Sequence, residues 1–280
     1  MNRESAAAEA SLESWGATSS ASRERTARPV ASKPVWLNWE AAVLFGALLA
    51  AWQFVATAIA HDGNPLLPTP LVTLRALRDS LPELLKGTWY SALILVPGYG
   101  AAVVAGIAVG LVVGTRTPLQ RAFFPFARVA APVPPTIYIP YAIAVLPTFR
   151  LSAIFVVFVG AFWPVFLNTA AGAAALEGRH RDGARMLEMR GVEYLWRVVF
   201  PASLPHIFSG MAVALALSFI LLTVAELFGA NAGLGRFVQY YADFADYPRM
   251  VAGIIYTGVF ASLSMALLEG AKKRALFWQR

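Results

Sequence analysis

The sequence has no cysteine among its 280 residues and only three histidines. The absence of cysteine excludes disulfides, thiolate metal sites and thiol nucleophiles. The histidines, His61, His180 and His206, are far apart in the chain and lack the spacing of metal ligands. No glycine-rich loop leads into a Lys-Ser or Lys-Thr pair, so the chain carries no phosphate loop that would hold ATP. We therefore predict no catalytic residue, no metal and no cofactor.

Charged residues are also scarce, at 14% of the chain against 58% hydrophobic residues, where an ordinary soluble domain has about 25% charged residues. A helix needs about 20 apolar residues to cross a membrane. Six stretches qualify: Ala41–Ala60, Trp89–Gly114, Val129–Phe149, Leu151–Leu176, Ile207–Ala225 and Met250–Leu268. No alternating strand pattern competes with them. The composition predicts an all-α integral membrane protein with six transmembrane helices.

The basic residues are distributed unequally between the predicted loops. With the N-terminus inside, 16 of the 23 Lys and Arg residues lie on the inner side, which is the bias of cytoplasmic loops. We therefore predict a multi-pass protein of the cell inner or plasma membrane with both termini cytoplasmic. The same bias accounts for the net charge of +7, so we predict no nucleic-acid partner. Residues 1–35 are poor in large apolar side chains and predict a disordered cytoplasmic tail before the membrane domain, residues 36–280.

A polar stretch, Glu177–Leu204, interrupts the apolar segments and has a helical pattern. Val192, Leu195, Trp196 and Val199 recur at the spacing of one helix face. Glu193 and Arg197, four residues apart, favour the same helix. Because proline cannot donate the helical hydrogen bond, we expect Pro201 and Pro205 to end this helix. The stretch predicts either a docking site for a protein partner or an interfacial helix held by lipid headgroups.

Glu226 is the one acidic residue attached directly to a predicted span, near the outer end of the fifth helix. A charge at the centre of a bilayer costs roughly 2.5–3.5 kcal/mol. The position of Glu226 therefore needs a structural or functional explanation. Two interpretations remain open. Glu226 either serves a gate or a pathway, or is an end residue that snorkels to the interface or is protonated.

Two further patterns have alternative interpretations. The third span contains Pro132, Pro134, Pro135, Pro140 and Pro147, and such breaks are tolerated where protein or a water-filled cavity covers the freed backbone. These prolines either line a pathway or kink the helix for packing. Beyond Glu226, an apolar stripe predicts a short amphipathic helix that is an external gate or a membrane rest: Leu234, Phe237, Tyr241 and Phe244.

Several residue strings together resemble one family. Asp182-Gly183-Ala184, followed by Pro201 and Leu204-Pro205, is similar to the Glu-Ala-Ala loop of ABC importer permeases. Further strings resemble the nitrate, sulfonate and taurine branch of these binding-protein-dependent permeases: Leu67-Pro68-Thr69-Pro70, Pro132-Val133-Pro134-Pro135, Pro164 to Asn168, Ala225-Glu226 and Gly233-Leu234-Gly235. The resemblance covers most of residues 64–270.

The resemblance implies a type I ABC importer permease fold, with a permease core of about residues 85–270 and a cytoplasmic coupling helix between helices four and five, in the loop 177–204. It implies a cytoplasmic ATP-binding subunit, an extracytoplasmic substrate-binding protein and a second permease subunit, which we expect to be an identical copy. The ATPase would dock on Asp182, Gly183, Ala184, Arg185, Leu187, Glu188 and Gly191. The translocation path or gate would include Pro134, Pro135, Pro140, Asn168, Glu226, Gly233 and Gly235.

The sequence departs from the family pattern in two places. Glu188 occupies the position where the loop pattern has glycine, and the nearest glycine is Gly191. The family's Gly-x-Gly after the third span is missing around Pro147–Leu151. The expected function is import of a small organic or inorganic anion such as a sulfonate, taurine or nitrate. The alternatives are a stand-alone channel or secondary transporter that uses Glu226, and a membrane scaffold that transports nothing.

Overall fold

The computed structural model describes residues 39–60, 66–176, 186, 189 and 191–277, and within them every regular element is a helix. The described residues divide into two units, one ending at Phe54 and the other beginning at Val55. The helices in chain order are α1 (Trp39–Ala60), α2 (Pro70–Asp79), α3 (Leu81–Thr115), α4 (Thr117–Ala130), α5 (Tyr138–Val145), α6 (Phe149–Ala174), α7 (Gly191–Tyr194), α8 (Phe200–Gly229), α9 (Leu234–Asp243) and α10 (Tyr247–Ala275). The predicted tail, residues 1–35, lies outside the described residues.

Five helical stretches in the described part of the chain are long and apolar enough to cross a membrane. They are carried by α1, α3, α6, the continuous stretch Gly191–Gly229 and α10. The all-helical class and five of the six predicted spans are therefore confirmed. The observed helices run past the predicted bounds at several ends, because apolar composition marks only the part of each helix that is free of charge.

The third predicted span, Val129–Phe149, is not a single helix. α4 ends at Ala130, a short 3₁₀-helix occupies Pro135–Ile137, and α5 covers only Tyr138–Val145. Prolines in the turn lack the N–H that a continuous helix would need, so the segment breaks where they cluster. The six-helix count is not confirmed by the described residues.

Prolines inside the other described helices do not interrupt them, and the expectation that Pro201 and Pro205 end a helix is wrong. A π-helical segment, Leu195–Val199, joins α7 to α8. The Phe200 N–H donates to the Leu195 carbonyl oxygen, five residues back. Pro201 follows this π-helical segment as the second residue of α8, and it lacks the N–H that a regular helix would use there. Pro205 lies further along the same uninterrupted helix.

α6 lies between α3 and α8 and packs extensively along both helices. Glycines of α3 form the contact with α6: a Cβ atom on Gly106 would lie 2.9 Å from the Val165 Cβ, and one on Gly110 would lie 2.7 Å from the Thr169 Cβ. Small residues allow helix backbones to approach closely, which is a main source of helix association in lipid. The α3 and α6 backbones are therefore closer than larger side chains would permit.

The predicted amphipathic helix after Glu226 is confirmed as α9, but its apolar face is covered by protein. Leu234 and Phe237 are buried and form a cluster with Leu84 of α3. α9 packs against α10, α8 and α3, whereas Phe244, just beyond its end, is exposed. A membrane rest would present this face to lipid, so the packing favours the interpretation of α9 as a part of the protein core.

A substitution in α3 tests the close approach of the two helices. We expect Gly110→Leu to destabilise the purified protein by about 1–3 kcal/mol or to prevent its accumulation, because overpacking forces the helices apart. Gly100→Leu is the matched control on the same helix, since a Cβ at Gly100 has no atom within 4 Å. The measurement is the thermal unfolding midpoint in detergent. Equal midpoints for the two variants would contradict the packing role of Gly110.

Candidate functional site

Glu226 lies in the last turn of α8 and is fully buried, with 0% exposure. A snorkelling side chain would expose its carboxyl group, so the burial of Glu226 leaves two interpretations, a protonated end residue and a gate or pathway residue. The cost of burying a carboxyl group requires hydrogen-bond donors close to both of its oxygens. The candidate site is therefore centred on Glu226 and its hydrogen-bond donors.

Donors from two other helices satisfy the carboxylate. The Ser91 hydroxyl of α3 donates to Glu226 Oε1 at 2.6 Å. The Gly235 N–H of α9 donates to Oε2 at 2.7 Å, and the Leu234 N–H donates to Ser91 Oγ at 3.0 Å. We call Ser91, Glu226, Gly233, Leu234 and Gly235 the Glu226 cluster. It ties together α3, α8 and the N-terminus of α9.

Glycine is required at both ends of the Gly233-Leu234-Gly235 string. Gly233 has φ of 143°, which favours glycine, and a Cβ there would overlap the Glu226 carboxyl group. A Cβ on Gly235 would lie 2.7 Å from the Thr223 carbonyl oxygen and 3.1 Å from Glu226 Oε2. The absence of side chains therefore lets the first turn of α9 approach the carboxylate.

The other end of α9 is anchored separately. The Tyr241 hydroxyl donates to Glu83 Oε2 on α3 at 3.0 Å, and the Arg249 guanidinium lies 5.3 Å from the Tyr241 ring centroid. Burial raises the pKa of Tyr241, the Glu83 hydrogen bond and charge raise it further, and Arg249 partly opposes the shift. α9 is thus held to α3 at both of its ends.

Two clefts open beside the Glu226 cluster and share Lys86, Asn231 and Ala232 in their walls. The larger has a volume of about 620 Å³ and is also lined by Tyr90, Thr148 and Arg150. The smaller has a volume of about 320 Å³ and is also lined by Glu83, Gly233 and Arg236. We call this end of the bundle the α9 end.

The remaining residues of the predicted path lie elsewhere. Pro135 packs on α6, with its Cγ 3.2 Å from the position of a Cβ on Gly160, and Pro134 and Pro140 are exposed. Asn168 Nδ2 donates to the Pro164 carbonyl oxygen at 2.8 Å.

Asn168 belongs to the other half of the bundle. Its Cβ would lie 2.8 Å from a Cβ on Gly210 of α8, and Gly210 is 16 residues before Glu226, roughly 24 Å at about 1.5 Å per residue. The structure therefore brings together Glu226, Gly233 and Gly235, and it leaves Asn168 and the prolines outside the Glu226 cluster.

Most of the predicted docking residues cannot be compared with the structure. Asp182, Gly183, Ala184, Arg185, Leu187 and Glu188 lie outside the described residues. Gly191 is described and has φ of 59°, a backbone conformation that favours glycine. The predicted pair of Glu193 and Arg197 is confirmed as an exposed ion pair with an N–O distance of 2.9 Å.

Two features of the site were missed in the sequence. Ser91 is a lone serine in an apolar span, and nothing along the chain indicates its partner 135 residues away. The second is the small-residue stripe along α3, whose four-residue period is a signal in the sequence: Gly98, Ala102, Gly106, Gly110 and Gly114. Within the described part of the chain, no three His, Asp or Glu side chains are grouped so that they could hold a metal ion.

Comparison with known proteins places this architecture in one family. Residues 102–275 match the binding-protein-dependent transport system inner membrane component family. The chain is 29% identical over 236 residues to the nitrate import permease protein NrtB of a Synechocystis strain, a match that covers 79% of this chain and 83% of that protein. It is 25% identical to the putative aliphatic sulfonates transport permease protein SsuC of Bacillus subtilis, covering 86% and 88% of the two chains.

A solved structure shares the fold. A chain of the MetNI methionine ABC transporter superposes with a TM-score of 0.60 at 16% identity, over 70% of this chain and 98% of that one. At this identity the likeness concerns the fold alone. The predicted resemblance is confirmed by the family match, which covers more than half of the sequence. The chain therefore belongs to the family of inner membrane components of binding-protein-dependent transport systems.

Proposed function

We propose that this chain is the transmembrane subunit of an ABC importer for a small anion, driven by a separate cytoplasmic ATPase. The observation that carries the proposal is the family match together with relatives named for nitrate and aliphatic sulfonates. The subunit provides the translocation path and performs no bond chemistry. Hydrolysis of ATP takes place in the partner.

The proposed topology has six crossings and both termini in the cytoplasm. α4, the 3₁₀-helix and α5 together form the third crossing, a broken segment that is acceptable where protein covers the freed backbone. The α9 end then faces the extracytoplasmic side, where the binding protein delivers substrate. Support comes from the excess of Lys and Arg in the loops of the opposite side.

The proposed partners follow from the family. A second copy of the permease completes the path, and an extracytoplasmic binding protein docks at the α9 end. The cytoplasmic ATPase docks on the coupling loop, at Asp182, Gly183, Ala184, Arg185, Leu187, Glu188 and Gly191. The left-handed backbone of Gly191 supports a turn shifted to this residue, because Glu188 replaces the glycine of the family pattern.

One continuous helical stretch links the proposed docking loop to the Glu226 cluster. It runs from Gly191 to Gly229, so Glu226 lies 35 residues after Gly191, roughly 50 Å along the axis at about 1.5 Å per residue. If the ATPase displaced the loop, the whole helical stretch would tilt, and the displacement would reach the Glu226 cluster. Because Glu226 binds α3 and α9 donors, these helices would move with α8 and change access to the clefts.

The alternative of a channel or secondary transporter with Glu226 as an ion site receives less support. Both carboxylate oxygens already accept hydrogen bonds from the protein, and the residue is fully buried. An ion site would offer at least one oxygen to the pathway. This alternative predicts transport without an ATPase.

The docking assignment is tested with Leu187→Pro. A proline prevents a regular helix at that position, so we expect the variant to reach the membrane but to lose its ATPase partner. The measurement is mass spectrometry of proteins that co-purify stoichiometrically with the tagged chain in mild detergent. Leu12→Pro, the same change in the predicted tail, is the control. An ATPase that remains bound to the Leu187 variant would contradict the assignment.

The gate assignment is tested with Glu226→Gln. The amide supplies one acceptor oxygen where the carboxylate supplies two, so one donor of the cluster loses its partner at a cost of about 1–3 kcal/mol. We expect a lower thermal midpoint, retained binding of the ATPase, and loss of the stimulation of ATP hydrolysis by the binding protein. Glu269→Gln, an exposed position on α10, is the matched control. Identical behaviour of the two variants would remove Glu226 from the mechanism.

A further inference from the structure

Three basic side chains from three different helices line two adjoining clefts at the α9 end. Lys86 of α3 lines both clefts, Arg150 at the start of α6 lines the larger one, and Arg236 of α9 lines the smaller one. Lys86 and Arg150 are separated by 64 residues in the chain, and Lys86 and Arg236 by 150. The fold therefore assembles a positive surface that no local stretch of sequence contains.

The positive charges of this surface are not neutralised by the part of the protein that the structure describes. Within it, no carboxylate lies within ion-pair distance of Lys86, Arg150 or Arg236. Glu83 is the one acidic residue in the walls of the two clefts, and its Oε2 already accepts the Tyr241 hydroxyl. By contrast, Arg249, at the start of the neighbouring helix α10, is paired with Asp246 at 3.0 Å. The clefts thus carry three cations against one anion.

Neutral hydrogen-bonding groups complete the larger cleft. Tyr90 and Asn231 line it, and so does Thr148, whose Oγ1 accepts the Leu151 N–H. This acceptance leaves the Thr148 hydroxyl hydrogen free to donate elsewhere. Guanidinium and ammonium groups bind oxyanions with short, charge-assisted hydrogen bonds. A volume of about 620 Å³ admits a small oxyanion with part of its hydration shell.

The clefts also adjoin the Glu226 cluster. Ala230, Asn231 and Ala232, which link α8 to α9, form part of their walls, and Gly233 of the Glu226 cluster lines the smaller one. The Glu226 carboxylate lies behind this wall, fully buried and hydrogen-bonded, so it presents no exposed negative charge to a bound anion. An anion in the cleft would contact the segment that moves with α8.

We propose that the larger cleft, with Lys86 and Arg150 in its walls and Arg236 in the adjoining smaller cleft, is a binding site for a small oxyanion, of the nitrate or sulfonate type, at the entrance of the translocation path. The site is a specificity element of this subunit, in addition to whatever selection the binding protein makes. The inference rests on the proposed function for its direction of transport, but binding of the anion to the isolated chain does not depend on it.

The experiment measures anion binding to the full-length protein purified in detergent, at constant chloride. Sodium nitrate and sodium methanesulfonate are titrated separately, and binding is followed by calorimetry and by the shift in thermal midpoint. The variants are Lys86→Gln, Arg150→Gln and Arg236→Gln. Lys273→Gln and Arg274→Gln, exposed residues near the end of α10, are the matched controls. Arg150→Lys keeps the charge but loses the planar donor pair.

We expect saturable binding of at least one probe by the unmodified chain and by both controls. Lys86→Gln and Arg150→Gln should each raise the half-saturation concentration about tenfold, the effect of removing one charge-assisted hydrogen bond. Arg236→Gln should raise it less, because Arg236 lines the adjoining cleft. Arg150→Lys should lie between Arg150→Gln and the unmodified chain. Gel filtration identifies any variant that fails to fold, and the remaining cleft variants then decide the result.

Three outcomes would overturn the inference. One is the absence of saturable binding of either probe, and another is an equal loss of affinity in the α10 controls, which would indicate general electrostatics. The third is unchanged anion affinity together with loss of binding-protein attachment, which would assign the three cations to a protein interface. Retention of the ATPase in the same preparations reports separately on the proposed function, so the two can fail independently.

Discussion

The close approach of α3 and α6 is the constraint on which the rest of the bundle depends. In lipid, apolar side chains gain little by contacting each other instead of acyl chains, so helices associate through packing and hydrogen bonds. Glycines of α3 remove the side chains that would separate the two backbones. α6 in turn packs along α8, and the Tyr99 hydroxyl of α3 donates to the Met211 carbonyl oxygen of α8 at 3.0 Å. The arrangement of these three helices fixes where Ser91 and Glu226 meet.

The Glu226 cluster is a second set of contacts between helices, and it is built around a polar group. A buried carboxylate is tolerated because a hydroxyl from α3 and a backbone N–H from α9 reach its two oxygens. The glycines beside the carboxylate allow the first turn of α9 to come this close, since a side chain at Gly233 would overlap the carboxyl group. α9 thereby becomes part of the packed core of the protein. The cluster joins three helices with hydrogen bonds that are shielded from water.

The two ends of the bundle show different chemistry. At the α9 end, three cations line clefts beside a sealed carboxylate. At the other end, α3 and α6 meet the helical stretch that begins at Gly191 through Leu111, Ala173, Leu176 and Val199. A continuous helix connects this apolar contact to the Glu226 cluster. In the proposed importer, energy would enter at one end of this helix and change solute access at the other.

The sequence alone determined the helical class, five of the long spans, the family and the unusual position of Glu226, because these follow from local composition and short motifs. It could not determine the bounds of the broken segment around Pro135 or the continuity through Pro201, since a π-helical turn supplies the geometry that the proline requires. Only the tertiary structure paired Ser91 with Glu226 and placed Lys86, Arg150 and Arg236 around two adjoining clefts, because these residues are far apart in the chain. Distances between helices depend on packing, and packing is decided by all the neighbours at once.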